Sequence, residues 1–264
     1  LSDSINFFYM AVFFILGTIL GSFANVAIYR YFSGESLWWP GSKCPSCQTP
    51  IKWFDLIPII SWFVLSRKCR KCQTPISAQY PLVEFVMGIL FLLAYLKFGI
   101  SVSLIEILLF FLGLVIVSAI DLKVYLLPDV YTLSGLAIGL IGSVLNPERS
   151  FYDALAGVLL GGGFPWFVAY LYYLWRKEEG LGGGDIKLLA WMGAVLGWQA
   201  IPFIMIVASV VGSLAGLWAM RHSEKGLKTV IPFGPFLSLG ALIYALGGQY
   251  LAHLYIEFLL PGLF

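Results

Sequence analysis

Two aspartates and four cysteines stand out in this 264-residue chain as groups suited to acid–base and metal chemistry. Asp185 closes the run Gly180-Leu181-Gly182-Gly183-Gly184-Asp185, and an apolar stretch follows from Leu188. Glycines without side chains let an extended backbone approach that carboxylate. Asp121 ends a second apolar stretch, in Ala119-Ile120-Asp121-Leu122. A carboxylate at the border of a membrane-like segment is expensive, so function is its default reading. Asp121 falls near a helix C-terminus and Asp185 near a helix N-terminus, ends of opposite partial charge. Two carboxylates in unlike surroundings suit shared acid–base work, in which one takes a proton from water and the other, protonated, polarises a scissile carbonyl. No covalent intermediate is required. Singly, each feature has a plainer reading: an aspartate at a helix start is commonly a cap, and a glycine run is commonly a turn. The pair carries the chemical reading.

The cysteines fall as Cys44-Pro45-Ser46-Cys47 and Cys69-Arg70-Lys71-Cys72, with 21 residues between the pairs. Each pair opens the same frame, CPSCQTPI from Cys44 and CRKCQTPI from Cys69. Two thiolates per tight turn, twice over, complete a tetrahedron, the pattern of a structural four-cysteine zinc site. The competing readings are two disulfides or four free thiols; a reducing cytoplasm disfavours the first. Between the pairs, the stretch Trp53 to Trp62 carries aromatics suited to a membrane interface.

Membrane helices are the expected carriers of the two aspartates. The chain is 60% hydrophobic and 11% charged, with mean hydropathy +0.89, whereas a soluble domain carries about 25% charged residues. A net charge of +2 gives no electrostatic footprint for nucleic acid. Runs of about 20 apolar residues span a bilayer, and the candidates are 5–29, 81–98, 102–120, 128–146, 151–175, 186–199, 201–220 and 230–258. The first is too long for a signal-peptide core and is read as a retained helix. The sequence therefore predicts an all-α polytopic membrane protein with about eight transmembrane helices. Its expected organisation is a first transmembrane helix (1–30), a cytoplasmic four-cysteine module (31–80) and a transmembrane core (81–264).

Basic residues mark the cytoplasmic side. If the 30–80 loop faces the cytoplasm, so do Lys123, Arg176, Lys177, Lys187, Arg221, Lys225 and Lys228, leaving only Lys97 and Arg149 opposite. Both termini then lie outside the cytoplasm, and Asp121, Asp129 and Asp185 lie at its face. Asp129, after Pro128, reads as a helix N-terminal charge, and Lys187 as an anchor to lipid headgroups or a stabiliser of negative charge. Glu84, Glu106 and Glu257 lie near or within spans, with Glu84 on the cytoplasmic side. Asn25 lies in the first span as a hydrogen-bonding residue between helices. Glu178 and Glu179 are acidic groups before the glycine run, read first as a solvated pair. His222 and His253 are assigned to no site.

With these residues in view, the chain resembles the type IV prepilin peptidases, the bifunctional leader peptidase/N-methyltransferases with a GxGD aspartate. The likeness runs nearly end to end: Gly21-Ser22-Phe23 with Asn25-Val26 and Arg30, both cysteine pairs, Ile57-Pro58, Tyr80-Pro81-Leu82-Val83-Glu84, Asp121 with Leu127-Pro128-Asp129, Gly182-x-Gly184-Asp185-x-Lys187, and Ile231-Pro232-Phe233-Gly234-Pro235-Phe236. The resemblance implies cleavage of the basic leader of prepilins and pseudopilins at the cytoplasmic membrane face of a bacterial inner membrane, in a type IV pilus or type II secretion system. It implies methylation of the new terminal residue, usually Phe, by S-adenosylmethionine. It implies Asp121 and Asp185 as the catalytic pair, with Gly182, Gly184 and Lys187 in the active-site loop. The cysteines accompany the bifunctional members, which favours both activities.

The chain has no strand-borne G-x-G-x-x-G unit, so any S-adenosylmethionine site is of another kind, expected at the cytoplasmic loop and adjoining helix ends with Glu84 as a contributor. Two other functions compete. A proton- or ion-coupled transporter could use Asp121 and Asp185 as carriers, but the internal repeats common in transporters are missing. A non-catalytic scaffold leaves the two carboxylates unexplained.

Overall fold

The computed structural model describes residues 2–37, 39, 41–178, 180, 182–222, 231–248 and 250. Glu179, Lys225, Lys228, His253, Glu257 and the end of the expected last span lie outside the described residues. Every extended element among the described residues is helical; the only β pairing is two isolated bridges. The chain divides into two compact units, residues 1–104 and 105–264.

In the first unit, α1 (Ser2–Ser33) and α3 (Gln79–Phe98) pack lengthwise. Small residues permit the close approach, as is common between membrane helices. A Cβ on Gly17 would lie 2.5 Å from the Met87 carbonyl oxygen, and one on Gly21 would lie 2.7 Å from Glu84 Cα. Between these helices the sequence repeat becomes a structural repeat. Cys44 N–H donates to Thr49 O and Cys69 N–H to Thr74 O, at 3.0 and 2.9 Å; Gln48 N–H and Gln73 N–H return to Cys44 O and Cys69 O. Bridges Lys43–Pro50 and Lys68–Pro75 occupy the same offsets. A 3-10 turn (Trp53–Leu56) and the short α2 (Ile60–Val64) link the two knuckles. Arg70 makes a two-pronged ion pair with Asp55 at 2.6 and 3.0 Å, which holds the Asp55 carboxyl below its ordinary range.

The second unit runs through α4 (Val102–Val124), α5 (Asp129–Leu145), α6 (Phe151–Val158), a π turn at Leu159–Gly163, α7 (Phe164–Arg176), α8 (Gly183–Leu196), α9 (Ala200–His222) and α10 (Gly234–Ile243). Pro128 fits the residue before α5, where a missing N–H does no harm, and Gly197 ends α8 at φ 82°. The short α8 is the hub. Its residues Leu188 to Val195 are all buried, and α5, α6, α9 and α10 pack against it. Trp191 fills the space left by two glycines: a Cβ on Gly113 or Gly135 would come within 2.3 Å of the indole. Gly157 and Gly193 bring backbone against backbone, each Cβ position lying 2.2 Å or less from the other residue's carbonyl oxygen.

The all-helical expectation holds; the count of about eight spans is not confirmed among the described residues. Five described helical runs are long and apolar enough to cross a membrane: α1 (its Ser4–Ser33 part), α3, α4, the continuous Phe151–Arg176 run and α9. Asp129–Leu145 and Gly234–Gly248 are shorter apolar helices, and α8 has 14 residues. An apolar run of that length also suits a helix buried among other helices, which is how α8 is used.

Candidate functional site

The second unit gathers the aspartates. Asp121 lies one turn before the end of α4, and its carbonyl oxygen accepts from Tyr125 N–H at 2.9 Å. Asp185 lies in the first turn of α8, its own N–H donating to Gly182 O at 3.1 Å. The expectation of one carboxylate at a helix end and one at a helix start is met. Although 64 positions apart in sequence, the two groups are close enough for the Asp121 charge to act on Asp185.

Two glycines and one leucine shape the approach. Asp121 is buried, and its Oδ2 accepts the Gly234 N–H at 2.9 Å. A Cβ on Gly234 would lie 2.7 Å from that oxygen and 2.9 Å from Leu127 Cδ2. On the other side of Leu127, a Cβ on Gly184 would lie 2.9 Å from Leu127 Cβ. Leu127, in the loop between α4 and α5, therefore touches both the start of α8 and the start of α10. Gly182 and Gly183 are exposed, and Asp185 is half-buried, so water reaches one end of the pair while protein closes the other.

The remaining candidates are placed differently. Lys187, read as a headgroup anchor or a stabiliser of negative charge, donates its ammonium to both carboxylate oxygens of Asp129, at 2.7 and 2.8 Å. Asp129 opens α5 and Lys187 is the fifth residue of α8, so opposite charges meet near the starts of the two helices. Glu84 lies in the first unit, buried, with Oε2 accepting the Ile59 N–H at 2.7 Å. Sequence reasoning gave Gly234 no role; a glycine followed by Pro235 at a helix start was its available signal. It also left unlinked Glu106, a buried residue of α4, and Arg149, which donates to the Glu106 carboxylate and to the Ala194 carbonyl near the end of α8.

Cys44, Cys47, Cys69 and Cys72 converge in the first unit, their sulfurs all within 4.8 Å of one another. Cys44 and Cys72 stand 3.7 Å apart. Four thiolates around one zinc ion at about 2.3 Å have sulfur–sulfur edges of about 3.8 Å, so the cluster fits such an ion. Surroundings differ among the four. The Thr74 hydroxyl, with the Thr74 N–H, draws the exposed Cys72 thiol down to about 6. At Cys44 the Cys47 N–H pulls downward, but burial and the neighbouring thiols outweigh it and the value rises to about 11. A coordinated dication deprotonates all its thiols outright, which removes that difference.

Fold and site together define a multi-pass helical membrane protein with an aspartate pair at helix ends and a separate four-thiol cluster. Comparison with known proteins sharpens this. Residues 15–98 match the bacterial peptidase A24 N-terminal domain, and residues 108–217 match the type IV leader peptidase family. Proteins named prepilin leader peptidase/N-methyltransferase are similar throughout: that of Stutzerimonas stutzeri is 36% identical over 267 residues, covering 92% of each chain. Those of Aeromonas hydrophila and Pseudomonas aeruginosa are each 34% identical, covering 97% and 92% of both chains respectively. No solved structure matches. The chain belongs to the type IV leader peptidase family, and the transporter alternative is set aside.

Proposed function

We propose that the chain is a membrane aspartyl endopeptidase that removes the basic leader of prepilin and pseudopilin precursors and then N-methylates the new terminal residue. The observation that carries the peptidase half is the Asp121 carboxylate, seated on the Gly234 N–H and within electrostatic reach of Asp185 at the glycine-led start of α8. Two carboxylates so placed share a proton. The ionised member takes a proton from water as it attacks the scissile carbonyl, and the protonated member donates to the carbonyl oxygen. Gly182, exposed beside the Asp185 carboxylate, leaves room for an extended substrate backbone. Lys187, tied to Asp129, fixes the starts of α5 and α8 against each other.

In this reading residues 31–80 form the module that holds zinc through Cys44, Cys47, Cys69 and Cys72. A closed four-thiolate ion stabilises the fold and leaves no open position for chemistry. S-adenosylmethionine supplies the methyl group for the second activity. The basic loops support an inner-membrane enzyme with its active site at the cytoplasmic side.

The test is cleavage of a prepilin bearing a basic leader by the purified enzyme in proteoliposomes, with S-adenosylmethionine labelled in its methyl group. Asp121→Asn and Asp185→Asn should each abolish cleavage while leaving the protein folded. Normal cleavage by both variants would remove the pair from the mechanism. Cleavage by wild type without label on the product would leave a peptidase alone.

A further inference from the structure

The first unit contains a buried carboxylate that the peptidase reading does not use. Glu84 is 7% exposed, and no ion pair among the described residues includes it. Its acceptors are served only in part, by the Ile59 N–H and the Ser22 hydroxyl. One turn away on the same α1–α3 seam, Asn25 is 3% exposed; its amide nitrogen donates to the Tyr80 carbonyl at 3.0 Å, and its Oδ1 has no partner. Asn25 follows Ser22 by three residues and Glu84 follows Tyr80 by four, so the pairs face one another along one helical turn. A buried oxygen acceptor left unpaired lacks a donor, and a buried carboxylate without a cation is the more expensive omission. One group answers both needs, an ammonium.

Glu84 also fixes the chain that links the two cysteine knuckles. Ile59 has φ 62° and ψ −55°, and Ile60 N–H reaches Pro58 O at 2.6 Å. This is a γ-turn of the rare, strained kind, in a β-branched residue that avoids positive φ. Strain of this sort persists where surrounding structure imposes it, and here the Glu84 carboxylate holds the Ile59 N–H in place. Tyr80 stands within electrostatic reach of Cys44.

We infer that the Ser22–Asn25–Glu84 seam is the α-amine site of methyl transfer, with Glu84 as general base. This rests on the methyltransferase reading above. Asn25 Oδ1 accepts an N–H of the ammonium freed by cleavage. The Glu84 carboxylate takes one proton from that ammonium. The amine lone pair then forms the new C–N bond with the sulfonium methyl carbon, and the C–S bond breaks with its electrons remaining on sulfur as a neutral thioether. The product is the secondary ammonium, and the Glu84 proton leaves to solvent.

The experiment uses the full-length enzyme in proteoliposomes, with two substrates assayed separately: an intact prepilin for cleavage, and an already processed pilin peptide for transfer of labelled methyl from S-adenosylmethionine. Binding of S-adenosylmethionine and zinc content are measured alongside. Glu84→Gln keeps an oxygen for the Ile59 N–H while removing the base. Expected are cleavage, zinc content and S-adenosylmethionine affinity within about twofold of wild type and a fall of about 100-fold or more in the methyl-transfer rate, the lower end of general-base contributions. Asn25→Ala is expected to raise the KM for the processed peptide about tenfold, the loss of one hydrogen bond to a charged group, with a smaller change in rate. Methyl transfer at the wild-type rate in Glu84→Gln overturns the proposal. So does loss of S-adenosylmethionine affinity in step with methyl transfer, which would make Glu84 a ligand of the donor. Equal loss of cleavage and zinc would make it only a brace for the turn. No label even with wild type would instead overturn the methyl-transfer reading itself.

Discussion

Replacing Gly234 by alanine isolates what seats the buried aspartate. The new Cβ would stand 2.7 Å from Asp121 Oδ2 and 2.9 Å from Leu127 Cδ2, where carbon and oxygen in ordinary contact need roughly half an ångström more. The Leu127 side chain can swing, but the Asp121 oxygen is also the acceptor of the Gly234 N–H at 2.9 Å, so relief there breaks that bond. A hydrogen bond to a charged group contributes about 1.5–3 kcal/mol, and each 1.36 kcal/mol is tenfold in rate. Displacements of about 1 Å in a catalytic constellation alone can lower rates by about 100-fold. Gly234→Ala should therefore lower kcat for prepilin cleavage by about 10- to 100-fold. Transfer of methyl to an already processed peptide should remain at the wild-type level, since every residue assigned to it lies in the other unit. Folding is checked by a melting temperature in detergent. A folded Gly234→Ala enzyme that cleaves at the wild-type rate would show that the Gly234 contact does not position Asp121.

Two further outcomes follow from groups away from the aspartates. Arg149→Met removes the partner of buried Glu106 and the donor to Ala194 O; losing one member of a buried pair costs about 3–5 kcal/mol, and the melting temperature should fall clearly while Glu106→Gln with Arg149→Met recovers part of it. After zinc is removed by a chelator, iodoacetamide mapping at pH 7 should find Cys72 modified first and Cys44 last: Cys72, exposed and drawn down to about 6, is mostly thiolate at that pH, whereas Cys44, buried and pushed up to about 11, is not. Equal modification of the two would contradict that difference in surroundings.

The helical class, the two carboxylates and the cysteine cluster were legible in sequence because each leaves a local signature: apolar runs, a glycine-led aspartate, a repeated eight-residue frame. Even the positions of Asp121 and Asp185 at a helix end and a helix start could be read, since Pro128 and the glycines mark those boundaries. What could not be read is long-range. Lys187 looks like a headgroup anchor by itself, and only the packing of α5 beside α8 brings Asp129 to it. Residues 186–199 read as a candidate span because hydropathy does not distinguish lipid from protein as the covering medium; Gly113, Gly135, Gly157 and Gly161 show that it is protein, by admitting α8 to contact. Gly234 sits 113 positions from the oxygen it contacts, and nothing local to it announces a carboxylate.

The three glycines before Asp185 are not equivalent, and their differences explain the form of the motif. A Cβ on Gly183 meets nothing within 4 Å, one on Gly182 comes 3.0 Å from Asp185 Oδ2, and one on Gly184 comes 2.9 Å from Leu127 Cβ. The two positions that crowd the site are the two glycines of Gly182-x-Gly184-Asp185, and the open one is x. None of the three has its φ in the left-handed region, so the constraint is space beside the carboxylate and beside Leu127, not backbone conformation. Gly183→Ala should then cleave prepilin within about twofold of wild type and keep its melting temperature, a surface change of at most about 0.5 kcal/mol. Gly184→Ala must push Leu127, which also leans on Gly234, and overpacking of this kind costs about 1–3 kcal/mol; its cleavage rate should fall about tenfold or more. Gly182→Ala should fall between them, since the aspartate oxygen it meets can rotate by a few tenths of an ångström. If Gly183→Ala were as impaired as Gly184→Ala, the glycines would be serving substrate approach along the whole loop, and contact with Leu127 would not be what selects them.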